Sequence, residues 1–461
     1  MQQTLVLDPA LIGRYDQTGP RYTSYPTAVQ FHDGFGAAEY RAAAAASNAS
    51  GRPLSLYFHI PFCDTVCFYC ACNKVVTKDR TKAQPYLDRV YREIAMQAEL
   101  FDDSRAVEQL HWGGGTPTFI SAEQMRELMA VTGRHFRLLD DDRGEYSIEI
   151  DPREVTGETI GVLRDIGFNR MSLGLQDLDP NVQKAVNRIQ SAEQTFGALR
   201  AARAAGFRSV SVDLIYGLPL QTVDSFIATL DRVIDAAPDR LSVFNYAHLP
   251  QRFKPQRRIN EVDLPSPDQK LDMLSQIGEH LAAAGYVYIG MDHFARPDDE
   301  LAEAQRQGQL YRNFQGYSTH AHCDLVAIGV TSIGMVGNTY AQNVRTLDEY
   351  YAAIDAGELA VFRGIELSRD DELRRAVITQ LICNFHLDMA AVGSEWGIDF
   401  GDYFADELAR LAPMAADGLL RIEGNMIDVL PAGRLLIRNI CMVFDRYLPA
   451  GGASGSFSKV I

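Results

Sequence analysis

The sequence has no run rich in lysine and arginine, and its 461 residues carry a formal net charge of −16. Nucleic-acid binding rests mainly on neutralising phosphates, so the balance argues against that class, and any anionic ligand must be met by local cations. No stretch approaches about 18 uninterrupted apolar residues, which argues against a membrane-spanning helix. The N-terminal MQQTLVLDPALIGRYDQ lacks the basic-then-apolar order of a signal peptide, so a cytoplasmic protein is expected. There is no internal repeat and no low-complexity segment beyond the Gly/Ser-rich stretch 450–457. Nor are the seven cysteines spread as a disulfide framework would be: four crowd into ten residues at Cys63, Cys67, Cys70 and Cys72. That distribution suits metal ligation in a reducing compartment.

What is present is a chain able to bury a sizeable core, 46% hydrophobic and 23% charged. Its length is about three times the usual domain size, and α/β barrels run long as single units, so one large domain with appendages is expected. Strand-like runs recur: LSLYFHI (54–60), QLHWGGG (109–115), EYSIEID (145–151), RMSLGLQ (170–176), SVSVDLIYG (209–217), RLSVFNY (240–246) and YVYIGMD (286–292). Between them, segments such as 84–101, 121–136, 191–205, 222–236 and 268–284 carry apolar residues at helical spacing. Such alternation predicts parallel strands with right-handed crossovers, and spacing alone leaves open a doubly wound sheet or a full or partial barrel. Either would gather the Gly-rich segments after the strands at one rim.

Residues 1–50, including RYDQTGPRYTSYPTAVQF (14–31), form an N-terminal arm too rich in Pro, Gly and Tyr for regular structure. The main domain spans 51–364. In 365–461 the alternation stops, and 369–396 and 402–416 predict helices leading into a hairpin at Glu423-Gly424-Asn425, a mainly helical, winged-helix-like domain. Its helices carry no basic stripe, so it reads as a lid or substrate-side domain.

Cys63-x3-Cys67-x2-Cys70 follows the first strand, so three thiolates sit on one tight loop at the rim. A [4Fe–4S] cluster ordinarily takes four cysteines, and three leave one iron open. The competing reading is a zinc knuckle with Cys72 as fourth ligand, although zinc sites usually show two separated ligand pairs. His111-Trp112-Gly113-Gly114-Gly115-Thr116-Pro117 ends the next strand with three glycines that allow close backbone approach to a ligand.

Cys63-Asp64-Thr65-Val66-Cys67-Phe68-Tyr69-Cys70 with the glycine turn resembles the radical S-adenosylmethionine (SAM) superfamily. Within it, the chain is similar to the bacterial oxygen-independent coproporphyrinogen III oxidases over GPRYTSYPTA (19–28), HIPFC through CNK (59–74), SIEIDPRE (147–154), GFNRMSLGLQD (167–177), VDLIYGLP (212–219), RLSVFNYAHLP (240–250), GMDHFARPDDELA (290–302), RNFQGYST (312–319) and LLIRNICMVFD (435–445). The resemblance implies a three-quarter (β/α)6 barrel, a [4Fe–4S] cluster on Cys63, Cys67 and Cys70, and two SAM molecules. The first SAM would meet Tyr57, Gly114 and Glu149. The second would meet Tyr69, Gly115, Thr116, Gln176, Arg188, Asp213, Ala247 and Ile333. The implied reaction turns two propionates of coproporphyrinogen III into vinyl groups in a monomer reduced by a flavodoxin-type or similar donor.

Glu149 and Asp213 end strands as carboxylates suited to a ribose hydroxyl or an ammonium, Arg188 could pair with a carboxylate, and Tyr69 could stack on adenine. Ala247 and Ile333 alone would read as core. Cys72, in Cys-x-Cys, is a feature of the oxidases, and the residues leave open whether it serves substrate chemistry, proton transfer or packing. Arg21, a cation among aromatic rings in the arm, is expected to meet the substrate's carboxylates. A haem chaperone on the same scaffold is the alternative, and relatives of that kind usually lack Cys72 and the arm. His320-Ala321-His322-Cys323 has ligand residue types at close spacing but no evident fourth partner. Cys383 and Cys441 read as core residues, and His59 as packing or support for the cysteine loop.

Overall fold

The computed structural model of the protein describes residues 5–448, and the Gly/Ser-rich 450–457 lies outside them. Six parallel strands pair in sequence order: β1 (Leu54–Ile60), β2 (Ala106–Gly114), β3 (Glu145–Ile150), β4 (Arg170–Gln176), β5 (Ser209–Tyr216) and β6 (Arg240–Asn245). A doubly wound sheet would reverse its order at a switch point. Unbroken order therefore decides for a partial (β/α)6 barrel, each strand followed by a helix: 83–98, 122–135, 157–165, 192–204, 223–236 and 267–283. The helices after β2, β4 and β6 start at Ser-x-x-Gln capping boxes, Ser121/Gln124, Ser191/Gln194 and Ser266/Gln269. β1 is buried at six of seven positions, as expected of a strand covered on both faces.

The sheet departs from sequence expectation at both ends. Val287–Gly290 is not a seventh parallel neighbour of β6: it turns back through Met291 and Asp292, both at positive φ, into His293–Ala295, which pairs antiparallel with β6. Two left-handed residues make the tight hairpin, and Met-Asp lacks the Asn-Gly signal that would announce it. At the other edge, Asp324–Ile328 pairs parallel with β1, followed by antiparallel strands 333–336, 339–343 and 361–366. Asp324–Ile328 is buried at every position, so its sequence shows no alternation.

The N-terminal segment is bolted to both the sheet and the C-terminal region. His32 exchanges backbone hydrogen bonds with Gly364 (2.9 and 3.1 Å), Tyr15 donates to Asp417 (2.7 Å), and Tyr22 to Asp445 (2.9 Å). The helix expected over 369–396 ends at Asn384, because Phe385 turns left-handed (φ +56°) and the chain enters strand 386–388. That strand pairs with the hairpin 420–423/426–429, which turns at Gly424, and helices pack around it. Among the described residues no helix is long and apolar enough to cross a membrane.

Candidate active site at the strand C-termini

The cysteine loop leaves the C-terminal end of β1 and is fixed by its backbone. Phe68 N–H donates to Val186 O (2.9 Å), Val75 N–H to Pro61 O (2.7 Å) and Thr77 N–H to Cys63 O (2.9 Å). Asn187 Nδ2 donates to Val66 O (2.8 Å). Cys67 is buried, Cys63 and Cys70 are partly open, and Cys72 is exposed. Thr116 Oγ1 approaches Cys63 Sγ at 3.6 Å. Arg188 Nη1 and Arg153 Nη2 approach Cys67 Sγ at 3.5 and 3.8 Å. Asp151 pairs with both guanidinium groups (3.1 and 2.7 Å). Burial opposes the Asp151 charge, yet the two arginines hold its pKa below the usual carboxylate range.

The glycine turn is wedged against this loop. A Cβ on Gly115 would lie 2.6 Å from Phe62 O, and one on Gly114 (φ +114°) 2.7 Å from the His59 ring. Here glycine is required by both approach and φ. Gly114 N–H donates to Glu149 Oε2 (3.1 Å), and His111 reaches Glu149 Oε1 (3.5 Å) and Ser147 Oγ (2.6 Å). Desolvation raises the Glu149 pKa, but His111 and the Gly114 N–H outweigh it and leave it lowered. Tyr57 stacks on His111 (centroids 5.9 Å, 11°) and its hydroxyl meets His59 Nδ1 at 3.1 Å. His59 Nε2 faces Asn73 O (3.2 Å), a pure acceptor, so Nε2 carries the proton and Nδ1 accepts from Tyr57. Burial lowers the His59 pKa and keeps the ring neutral. His59 thus ties β1 to the cysteine loop.

Tyr57, Gly114 and Glu149 are therefore one connected group. Thr116, Arg188 and the cysteines form a second, and Asp213 sits near both, its Oδ2 accepting from Ser172 (2.7 Å). Burial, countered by hydrogen bonds from Ser172 and Ser242 and reinforced by Glu149, pushes the Asp213 pKa up to about 6. Gln176, at φ +71°, occupies a register break in β4. Tyr69 and Ala247 share Gln256, whose Nε2 donates to both backbone carbonyls (3.0 and 3.3 Å). Ile333 stands apart from that second group and packs with Tyr57 in a small apolar cluster. Arg188 is already committed to Asp151, Cys67 and Gly174 O (2.5 Å), with only its buried Nε unpartnered among the described residues.

A cavity of about 660 Å³ opens between the arm, the ends of β5 and β6 and the C-terminal helix Ile437–Val443, lined by Arg21, Tyr216, Ala247, Lys270, Asp292 and Arg438. Arg21 lies 3.6 Å from Asp292. Arg438 Nε donates to Pro20 O (2.9 Å), and burial followed by repulsion from Arg21 lowers its pKa to about 9. Residue patterns did not single out Asp151, Arg153, Gln256 or Arg438 as site residues. Each lies in a quoted or adjoining stretch, but its role depends on a partner far along the chain.

Residues 57–233 match the Radical SAM superfamily, and 367–436 match the HemN C-terminal domain. The chain is 58% identical over 461 residues to the oxygen-independent coproporphyrinogen III oxidase of Pseudomonas aeruginosa, covering 100% of both chains. It is 52% identical to that of Escherichia coli, covering 100% of this chain and 99% of the relative. The chain belongs to the oxygen-independent coproporphyrinogen III oxidase family. The solved structure of the Escherichia coli coproporphyrinogen III oxidase, described as a radical SAM enzyme, superposes with a TM-score of 0.92 at 51% identity, covering 96% of this chain and 100% of that one. Radical SAM chemistry rests on a [4Fe–4S] cluster and SAM, and the residues present fit both. Three cysteines converge on one loop, the guanidinium groups of buried Arg188 and half-buried Arg153 face Cys67 to offset thiolate charge, and the glycine turn allows close backbone approach beside them. Neither the zinc-knuckle nor the haem-chaperone reading draws support from these relatives.

Proposed function

We propose that this chain converts coproporphyrinogen III to protoporphyrinogen IX in oxygen-independent haem synthesis, by radical oxidative decarboxylation of two propionate side chains. The observation that carries this reading is the continuity between the cysteine loop and a cation-lined cavity. Gln256 holds the backbones of Tyr69 and Ala247, and Ala247 lines the cavity that also contains Arg21 and Arg438. About 660 Å³ is ample for a ligand of this class, and Arg21, Lys270 and Arg438 line it together with Asp16, Asp268 and Asp292. Those three cations are the local partners that a carboxylate-rich substrate requires in an acidic protein.

When bound, the cluster and SAM supply the electron and the hydrogen-abstracting radical. Each propionate gives up a β-hydrogen, carbon dioxide and one electron, and a vinyl group remains. Cys63, Cys67 and Cys70 hold the cluster, with Arg188 and Arg153 steadying Cys67. Two SAM molecules are accommodated. Tyr57, Gly114 and Glu149 hold the first, with Glu149 kept ionised for an ammonium group. Tyr69, Gly115, Thr116, Gln176, Arg188, Asp213, Ala247 and Ile333 hold the second, Arg188 through the Nε that its other contacts leave over. Arg21 positions substrate carboxylates, and Cys72, exposed on the cysteine loop, serves substrate chemistry or proton transfer. The arm (1–50) and C-terminal domain (365–461) close over the barrel (51–364) and exclude water and oxygen. The enzyme works as a cytoplasmic monomer with a flavodoxin-type or similar electron donor.

An anaerobic assay with reductant, SAM and coproporphyrinogen III tests the reading by scoring 5′-deoxyadenosine and vinyl products together. Deoxyadenosine without vinyl product overturns the substrate assignment and keeps the enzyme class. Colourless protein that lacks the broad absorption near ~400 nm of Fe–S thiolate ligation overturns both.

A further inference from the structure

At the opposite end of the barrel, the N-terminal ends of β2 and β3 meet the segment that leads into Asp324–Ile328. The pairing of β1 with β2 slips there: Leu54 faces Val107 and Ser55 faces Gln109, so Glu108 is the extra residue of a β-bulge. A bulge re-aims its side chain out of the ladder. The Glu108 carboxylate is aimed at the segment 320–323, where His322 Nε2 lies 2.7 Å and His320 Nδ1 3.9 Å from Oε2. One ligand atom each from Glu108, His320, His322 and Cys323 fall within 4.8 Å of one another.

Two further features point to an ion. His320 Nδ1 is buried and makes no hydrogen bond among the described residues, although buried ring nitrogens are ordinarily satisfied. Its other nitrogen, Nε2, faces Glu145 Oε2 at 3.7 Å, and Glu145 in turn accepts from Gln109 Nε2 (2.7 Å). A carboxylate beside the second nitrogen of a ligating histidine is the usual outer-shell arrangement of metal sites, and Glu145 stands there at ion-pair distance. Cys323 is buried at 3% exposure, and His322 is the open edge of the group.

We propose that Glu108, His320, His322 and Cys323 bind one divalent cation, Zn²⁺ by preference. Two imidazoles, a thiolate and a carboxylate form a closed four-ligand set of the borderline character that zinc takes, with no position left for substrate. The site is structural: it ties the 320–323 turn to the floor of the barrel, away from the cysteine loop at the other rim.

The test titrates Zn²⁺ alone into anaerobically purified, cluster-loaded protein against a chromogenic chelator, with iron measured in parallel. One zinc per chain beyond the cluster iron is expected, with a rise in Tm on zinc addition. His322→Ala is exposed enough to fold, and retention of cluster iron and circular dichroism verifies that it has. It should weaken zinc binding by about 100-fold and abolish the Tm response, and Glu108→Gln should act in the same direction. Cys67→Ala should lose iron and keep the zinc. No zinc in the parent protein, equal affinity in His322→Ala, or zinc lost only in Cys67→Ala overturns the proposal.

Discussion

Arg188 Nη1 lies 3.5 Å from Cys67 Sγ while the same nitrogen pairs with Asp151 at 3.1 Å. A permanently charged donor against a thiolate stabilises the more negative, reduced state of any cluster held there. Arg188→Leu should therefore make the cluster potential more negative by on the order of 60 mV, the one-electron equivalent of a lost charge-assisted hydrogen bond of about 1.5 kcal/mol. Arg188→Lys should recover part of the shift. An electron paramagnetic resonance redox titration reads it, and an unchanged potential in Arg188→Leu would falsify the role.

Gly115 has no room for a side chain: its Cβ would press on the Phe62 and Pro61 backbone at 2.6–2.8 Å. Gly115→Ala should cost about 2 kcal/mol or more and abolish SAM binding, because the cysteine loop must move. Gly157, at the start of a helix with nothing within 4 Å of its Cβ, is the control, and Gly157→Ala should be neutral or slightly stabilising. Equal melting temperatures and SAM affinities for the two variants would contradict the wedge.

Asp213 has a folded-state pKa of about 6, above its ordinary 3.8. Because that value is raised, its contribution to stability is complete below about pH 4 and is lost as pH climbs through 6. In ligand-free protein, Asp213→Asn should match the parent at low pH and exceed it in Tm above pH 6. SAM affinity should move the other way, growing in the parent as Asp213 ionises between pH 5 and about 7 and staying flat in the variant. Parallel pH profiles would remove Asp213 from the SAM site.

Arg21 faces the cavity and pairs with Asp292 at 3.6 Å, whereas Arg438 is engaged with the arm backbone. Arg21→Ala should raise the KM for coproporphyrinogen III about tenfold, the value of one charge-assisted contact, with SAM affinity unchanged. Arg438→Ala should loosen the arm as well and depress turnover. Deletion of residues 1–27 that leaves KM and turnover intact would remove the arm from substrate binding altogether.

Much of the architecture was legible locally. Strands rich in β-branched and aromatic residues and helices opened by Ser-x-x-Gln boxes encode themselves over a few residues. So do three thiolates on one loop and three glycines after the next strand. The breaks in expectation have two causes: Asp324–Ile328 is buried throughout and shows no alternation, and the turn at Met291-Asp292 uses residues that do not advertise positive φ.

By itself, then, the sequence determined the cysteine triad, the parallel β–α rhythm, the acidic character that makes local cations necessary, and the family resemblance. Only the tertiary structure decided that the strands stay in order as an open barrel, because order is set by long-range pairing. It also decided that Arg188 answers to Asp151 and Cys67, and that Glu108 supplies a partner for His322 214 residues away. Side-chain chemistry is written in the sequence, but which charges and ligands meet depends on register and burial, which only the folded chain sets.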